Sequence, residues 1–132
     1  MSDPIGKCRS NYFKVKDKSA FEAWILEFDV DLVWSEDRVA FLGNADDGGI
    51  PDRFASEDDL ETVSLEEDLH QYLEDGEVCV VFNVGSERLR VLWGGAVAIH
   101  SSGATVSVRL DDIYELARTT FEMANRPSPA EY

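Results

Sequence analysis

Two histidines, two cysteines and 27 acids are the side chains of this 132-residue chain that could do acid–base, nucleophilic or metal chemistry. His70 falls in a polar stretch expected to be helical and solvent-facing, and His100 at a strand end beside a turn. Neither has a sequence neighbour that would complete a dyad or triad. Cys8 and Cys79 form no C-x-x-C pair; Cys79 lies in an apolar run and reads as a small buried hydrophobe, while Cys8 is expected near a mobile end. No G-x-S-x-G, Walker A, G-x-G-x-x-G or H-E-x-x-H pattern occurs. Asn44-x-Asp46-x-Gly48-Gly49 approaches a calcium loop, but its fifth position is glycine and its twelfth is Ala55, where a bidentate Glu is needed. The expectation is a protein that is not an enzyme and uses no cofactor or metal.

The acids carry a different message through their spacing. Residues 46–77 hold 13 acids against one base, Arg53, whereas the remaining 100 residues hold 14 acids and 11 bases. Nearly all of the net charge of −15 therefore sits in a quarter of the chain. Like charges crowded together repel and destabilise the compact state. Spreading them would serve solubility as well. A concentrated acidic face gains through steering and complementarity when it meets a basic partner. Basic grooves mostly hold phosphate backbones, whose charges are regularly spaced. The residues expected to meet such a groove are Glu57, Asp58, Asp59, Glu61, Glu66, Glu67 and Asp68, with Asp46, Asp47 and Asp52 in support.

The elements that must position these acids follow from periodicity. Residues 10–16 read as a strand. Ser19-x-x-Glu22 fits a capping box, and Phe21, Trp24, Ile25 and Phe28 recur on one helical face. Two short strands are expected at 31–35 and 38–42, then a Gly-rich acidic loop over 43–59. Ser64-x-x-Glu67 predicts a second helix with Leu65, Leu69, Tyr72 and Leu73 inward and a stop at Gly76. Residues 77–84 are apolar on both faces, as in a central strand covered on both sides. Gly85-Ser86 is expected to turn, residues 89–100 to form a strand bent at Gly94-Gly95, and Ser101-Ser102-Gly103 to make a hairpin. Residues 105–110 alternate, with Val106, Val108 and Leu110 on one face. Asp111 is placed to cap a last helix with Ile113, Leu116, Ala117 and Phe121 inward. Trp24 and Phe28 are expected in the core, and Trp34 and Trp93 partly buried. The prediction is an α+β domain over residues 1–124 with a mostly antiparallel sheet and three helices, in the order β-α-β-β-α-β-β-β-α, and a mobile tail over 125–132.

Composition narrows the setting. At 44% hydrophobic residues the chain can bury a core. No apolar run reaches the roughly 18–20 residues of a membrane span, and Met1-Ser2-Asp3-Pro4 opens no signal peptide. Two unpaired cysteines suit a reducing cytoplasm. The net charge of −15 argues against direct binding of nucleic acid or anionic membrane.

Two segments carry a resemblance. Arg9-Ser10-Asn11-Tyr12-Phe13-Lys14-Val15-Lys16-Asp17 followed by Phe21-x-x-Trp24, and Val97-Ala98-Ile99-His100-Ser101-Ser102-Gly103 with Leu110 to Ala117, resemble small acidic proteins carried by bacterial plasmids and phages. That company includes anti-CRISPR and antirestriction proteins, several of which imitate DNA. The resemblance implies no catalytic residue. It implies a stoichiometric inhibitor of a host defence complex, a CRISPR effector or restriction-type nuclease, that occupies a basic nucleic-acid channel. A toxin-neutralising immunity protein, or a non-catalytic interaction module of a plasmid or phage, is the alternative. A homodimer through the C-terminal sheet is compatible with each.

Overall fold

The computed structural model of the protein describes residues 5–44, 52–54, 62–87 and 91–128. It is an α+β fold. The strands are β1 (Ile5–Ser10), β2 (Val30–Ser35), β3 (Arg38–Gly43), β4 (Asp52–Phe54), β5 (Thr62–Ser64), β6 (Val78–Glu87), β7 (Val91–His100) and β8 (Thr105–Arg109). The helices are α1 (Lys18–Ile25), α2 (Leu65–Asp68) and α3 (Asp112–Thr120). Six strands form one antiparallel sheet in the order β2-β3-β1-β6-β7-β8, and β4 and β5 pair separately.

The first strand starts earlier than residues 10–16. Phe13 and Val15 make only isolated bridges, to Val39 and Leu73. The cause lies at Ser10 and Asn11, whose side chains take over places in the ladder. Ser10 Oγ accepts from the Phe41 N–H at 2.9 Å and donates to the Asn11 carbonyl at 2.7 Å, while Asn11 Oδ1 accepts from the Val80 N–H at 2.8 Å. Short polar side chains compete in this way with regular pairing. The chain leaves the sheet there and drives Phe13 into the core. The cap of α1 is also displaced, from Ser19 to Asp17, which is extended and accepts from the Ala20 N–H at 3.2 Å.

One face of the sheet carries the core. Phe21, Trp24 and Ile25 of α1 and the following Phe28 are buried against Phe13, Val39, Phe41 and Val81. Trp24 stacks on Tyr72 with ring centroids 4.5 Å apart, and Phe13 meets Phe21 and Phe41 edge-on. Leu65, Leu69 and Leu73 enter the same cluster, fully buried. They do so from a single turn of α2 followed by a 3-10 turn, Leu69–Tyr72, instead of one continuous helix. Ser64 stands at the cap position but its side chain makes no capping bond. Trp34 is partly buried and Lys18 Nζ lies 5.4 Å from its ring centroid. Cys8 is buried in β1 and is not at a mobile end. Both thiols are free, because Asn83 stands opposite Cys8 and Cys79 lies four residues away along β6. Burial raises the Cys8 thiol to about 11 and pushes Cys79 up further.

The C-terminal half departs more from expectation. Gly85-Ser86 does not turn; both residues continue β6 and pair with Trp93 and Leu92. Gly94 and Gly95 make no bend but sit in regular register, Gly94 beneath the side chains of Leu110 and Val84. β6 is central but not covered on both sides: Cys79 and Val81 are buried, whereas Phe82 and Val84 on the opposite face are exposed. In β8 the alternation runs out of phase with the core. Ser107 stands opposite the buried Val97, so its polar face points to the core side, and Val106 and Val108 point to the open side. Of the residues expected inward on the last helix, Ile113, Leu116 and Phe121 are exposed and Ala117 is half-buried. No residue of α3 is buried, Asp111 makes no side-chain cap bond, and Leu116 and Phe121 are 59% and 71% exposed. The hairpin at Ser101–Gly103 forms as expected, with Gly103 at φ +94°. Of the expected tail, residues 125–128 have no regular structure and Arg126 Nε donates to Glu115 at 2.8 Å; the rest lies outside the described residues. No helix among the described residues is long and apolar enough to cross a membrane.

Candidate functional site

The β4–β5 pair delivers the chain into α2, and α2 carries the three consecutive acids Glu66, Glu67 and Asp68. The anchoring is hydrophobic: Leu65 and Leu69 on either side of the acids are fully buried. Glu67 is exposed, and Glu66 and Asp68 are half-buried. Among the described residues no base pairs with any of the three. Further along the acidic segment the carboxylates serve the fold. Glu77 accepts from the Lys14 N–H at 2.9 Å and lies 3.7 Å from Arg38, and Asp75 lies 3.9 Å from Lys16. The expected partner-binding residues Asp46, Asp47, Glu57, Asp58, Asp59 and Glu61 lie outside the described residues. Asp52 begins β4.

Glu66 also lines a cavity of about 540 Å³ on the core side of the β6–β8 sheet. Its other walls include Trp93, Asn83, Ser107 and Arg109, over a floor at Gly95. The Trp93 indole lies against Gly85, so closely that an added Cβ there would collide with Cζ2 of the ring. Gly95 keeps the floor low; a Cβ would stand 2.9 Å from the Val108 carbonyl oxygen. The cavity is polar because β8 turns Ser107 and Arg109 toward it. The alternation of residues 105–109 signalled two faces, but only the register with β7 shows that the polar face lies on the core side. Nothing in the sequence links Glu66 to Trp93; the fold brings them to one cavity.

The histidines are placed structurally. His70 packs beside Gly103 at the β7–β8 hairpin and is half-buried instead of solvent-facing. His100 Nδ1 lies 2.9 Å from Ser102 Oγ and accepts from the Ser102 N–H at 3.0 Å, which braces the exposed hairpin tip. The Ala104 N–H donates to Ser102 Oγ at 3.3 Å, so the pair serves the turn, and among the described residues no group of three or more His, Cys, Asp or Glu is spaced to hold a metal ion. Compared with known proteins, the chain matches no family model, no curated protein and no solved structure.

Proposed function

We propose that the protein is a stoichiometric, non-catalytic inhibitor of a nucleic-acid-processing complex of the host-defence type, a CRISPR effector or restriction nuclease. Its acidic segment would occupy the basic channel that otherwise holds a phosphate backbone. The observation that carries this reading is the segregation of charge: 13 acids and one base in residues 46–77, against near balance elsewhere. The geometry of α2 adds to it. Buried Leu65 and Leu69 fix this turn, which exposes Glu67 and leaves Glu66 and Asp68 half-buried, and no described base neutralises the three. Carboxylates left without internal ion pairs meet a basic groove without first breaking such pairs, and long-range attraction speeds the encounter.

The test is a pull-down from bacterial lysate, comparing the wild type with a triple variant, Asp58→Lys, Asp59→Lys and Glu67→Lys, after circular dichroism confirms that both are folded. The expected result is a nucleic-acid enzyme or CRISPR complex retained by the wild type and lost by the variant. Added DNA or RNA should displace it, and retention should fall as salt rises through the range where the Debye length shrinks below about 10 Å. Equal retention by both proteins would sink the reading.

A further inference from the structure

We infer that the open face of β6–β8, the free edge of β8 and the apolar stripe of α3 together form an isologous interface with a second copy of this chain. The starting point is the phase of β8. Its strict alternation of Val106 and Val108 with Thr105, Ser107 and Arg109 demands that one face be buried and apolar. In a single copy that face is the open one: Val106 is 67% exposed, and Phe82 and Val84 share its side of the sheet. α3 shows the same mismatch. Ile113, Leu116 and Phe121 share one side of the helix and are all exposed, although α3 follows β8 directly. Monomeric proteins rarely leave apolar patches beyond a few hundred Å² uncovered.

Three observations select a second copy as the occupant. First, the chain carries both halves of a sheet-and-helix packing next to each other and satisfies neither by itself, and an isologous interface requires such self-complementarity. Second, the edge is open in the right place. Leu110 N–H donates to the Gly94 carbonyl, which sets the N–H groups of Val106 and Val108 toward β7 and those of Thr105, Ser107 and Arg109 outward. Arg109 N–H is taken by Asp112 Oδ2 at 2.7 Å, which leaves Thr105 and Ser107 to pair across a two-fold axis. Third, charge and size permit it. Residues 92–128 hold four acids and three bases, so this surface lacks the repulsion of the acidic segment. The ten exposed large apolar residues from Phe82 to Met123 are 39–71% accessible. They amount to on the order of 1,000 Å² per copy, against the ~800 Å² per partner of a stable interface.

Sedimentation equilibrium of the full chain tests this. At about 100 μM, well above a micromolar Kd, the wild type should show twice the 14.8 kDa chain mass. Leu116→Asp, and separately Ser107→Pro, should each weaken association at least tenfold. Ser107→Pro deletes an outward N–H and leaves the β7 ladder intact. Hydrogen exchange on the unmodified chain needs no variant: the Thr105 and Ser107 amides should be slowed at high concentration and fast at low. A monomeric wild type, or Thr105 and Ser107 amides equally fast at both concentrations, overturns the inference, as does a dimer indifferent to both substitutions. Salt separates this result from the proposed function, because dimerisation should hold or tighten as repulsion between the two −15 chains is screened, while binding to a basic partner weakens.

Discussion

At the β3–β1–β6 end of the sheet, Phe13, Val39, Phe41 and Val81 lie fully buried beneath α1 and α2, while at the β8 end Val106, Val108 and the α3 residues Ile113 and Leu116 remain exposed. Both ends have the same kind of sequence, alternating strands and amphipathic helices. The difference shows that amphipathic pattern tells which residues need a partner surface but not where that surface is found. Aromatic density closes the first end within one chain. Phe41 of β3, Phe13, Phe21, Trp24 and Tyr72 form a connected set of ring contacts that joins the sheet to α1 and to the 3-10 turn. Such pairs add about 0.5–1.5 kcal/mol each beyond their buried area. At the second end, Asp112 ties its helix to β8 by accepting from the Arg109 N–H, and the Glu115–Arg118–Arg126 cluster ties the helix to the tail that follows it.

A matched pair of leucines can break this comparison most sharply. Leu69 is fully buried and Leu116 is 59% exposed. Leu69→Ala should cost about 2–5 kcal/mol in urea unfolding, because it opens a cavity in the core. Leu116→Ala, measured dilute enough to keep one copy apart from another, should stay within about 0.5 kcal/mol of the wild type. Similar losses at both sites would mean that α3 packs within its own chain.

Gly85→Ala probes the middle of the sheet, where the two ends meet. The new Cβ collides with Trp93, so the indole must lift off the strand. The expected loss is about 1–3 kcal/mol, the usual cost of overpacking. It should come with a change in tryptophan emission that a remote effect on stability would not produce. An unchanged emission spectrum would mean that the ring does not lie on Gly85.

The smallest effect concerns acid and α3. Hydrogen bonds from Arg118 first, and then from Arg126, hold the Glu115 carboxyl at about 2, below its ordinary 4.5. A depressed carboxylate contributes stability that is complete above 4.5 and is lost as pH falls toward 2. The brace is exposed and its contribution small. In a carboxyl NMR titration, Glu115 should show a midpoint near 2 that moves up toward 4.5 in Arg118→Gln. A wild-type midpoint at 4.5 would dissolve the brace.

Much of the fold was legible because its signals are local. The β2–β3 hairpin around Glu36-Asp37, the buried face of Phe21, Trp24, Ile25 and Phe28, and the turn at Gly103 each depend on a few adjacent residues. The start of β1 and the run of β6 through Gly85 depend on bonds to distant segments, such as those of Ser10 to Phe41 and Asn11 to Val80, whereas the cap of α1 moved by a choice between two nearby side chains, Asp17 and Ser19. Of the candidate site, the sequence supplied the acids but not the cavity that joins Glu66 to Trp93 and Arg109.

What the sequence by itself determined is the inventory: an α+β pattern, a charge of −15 gathered mostly into residues 46–77, and a C-terminal segment with Val106, Val108, Leu116 and Phe121 at strand and helix spacing. Composition and period are properties of the chain alone. What only the tertiary structure decided is phase. The pairing of Ser107 with Val97 sets which face of β8 looks at the core, and a shift of one residue would have reversed it. Because β8 is locked with its apolar face outward, Val106 and Val108 stay exposed in the single folded chain.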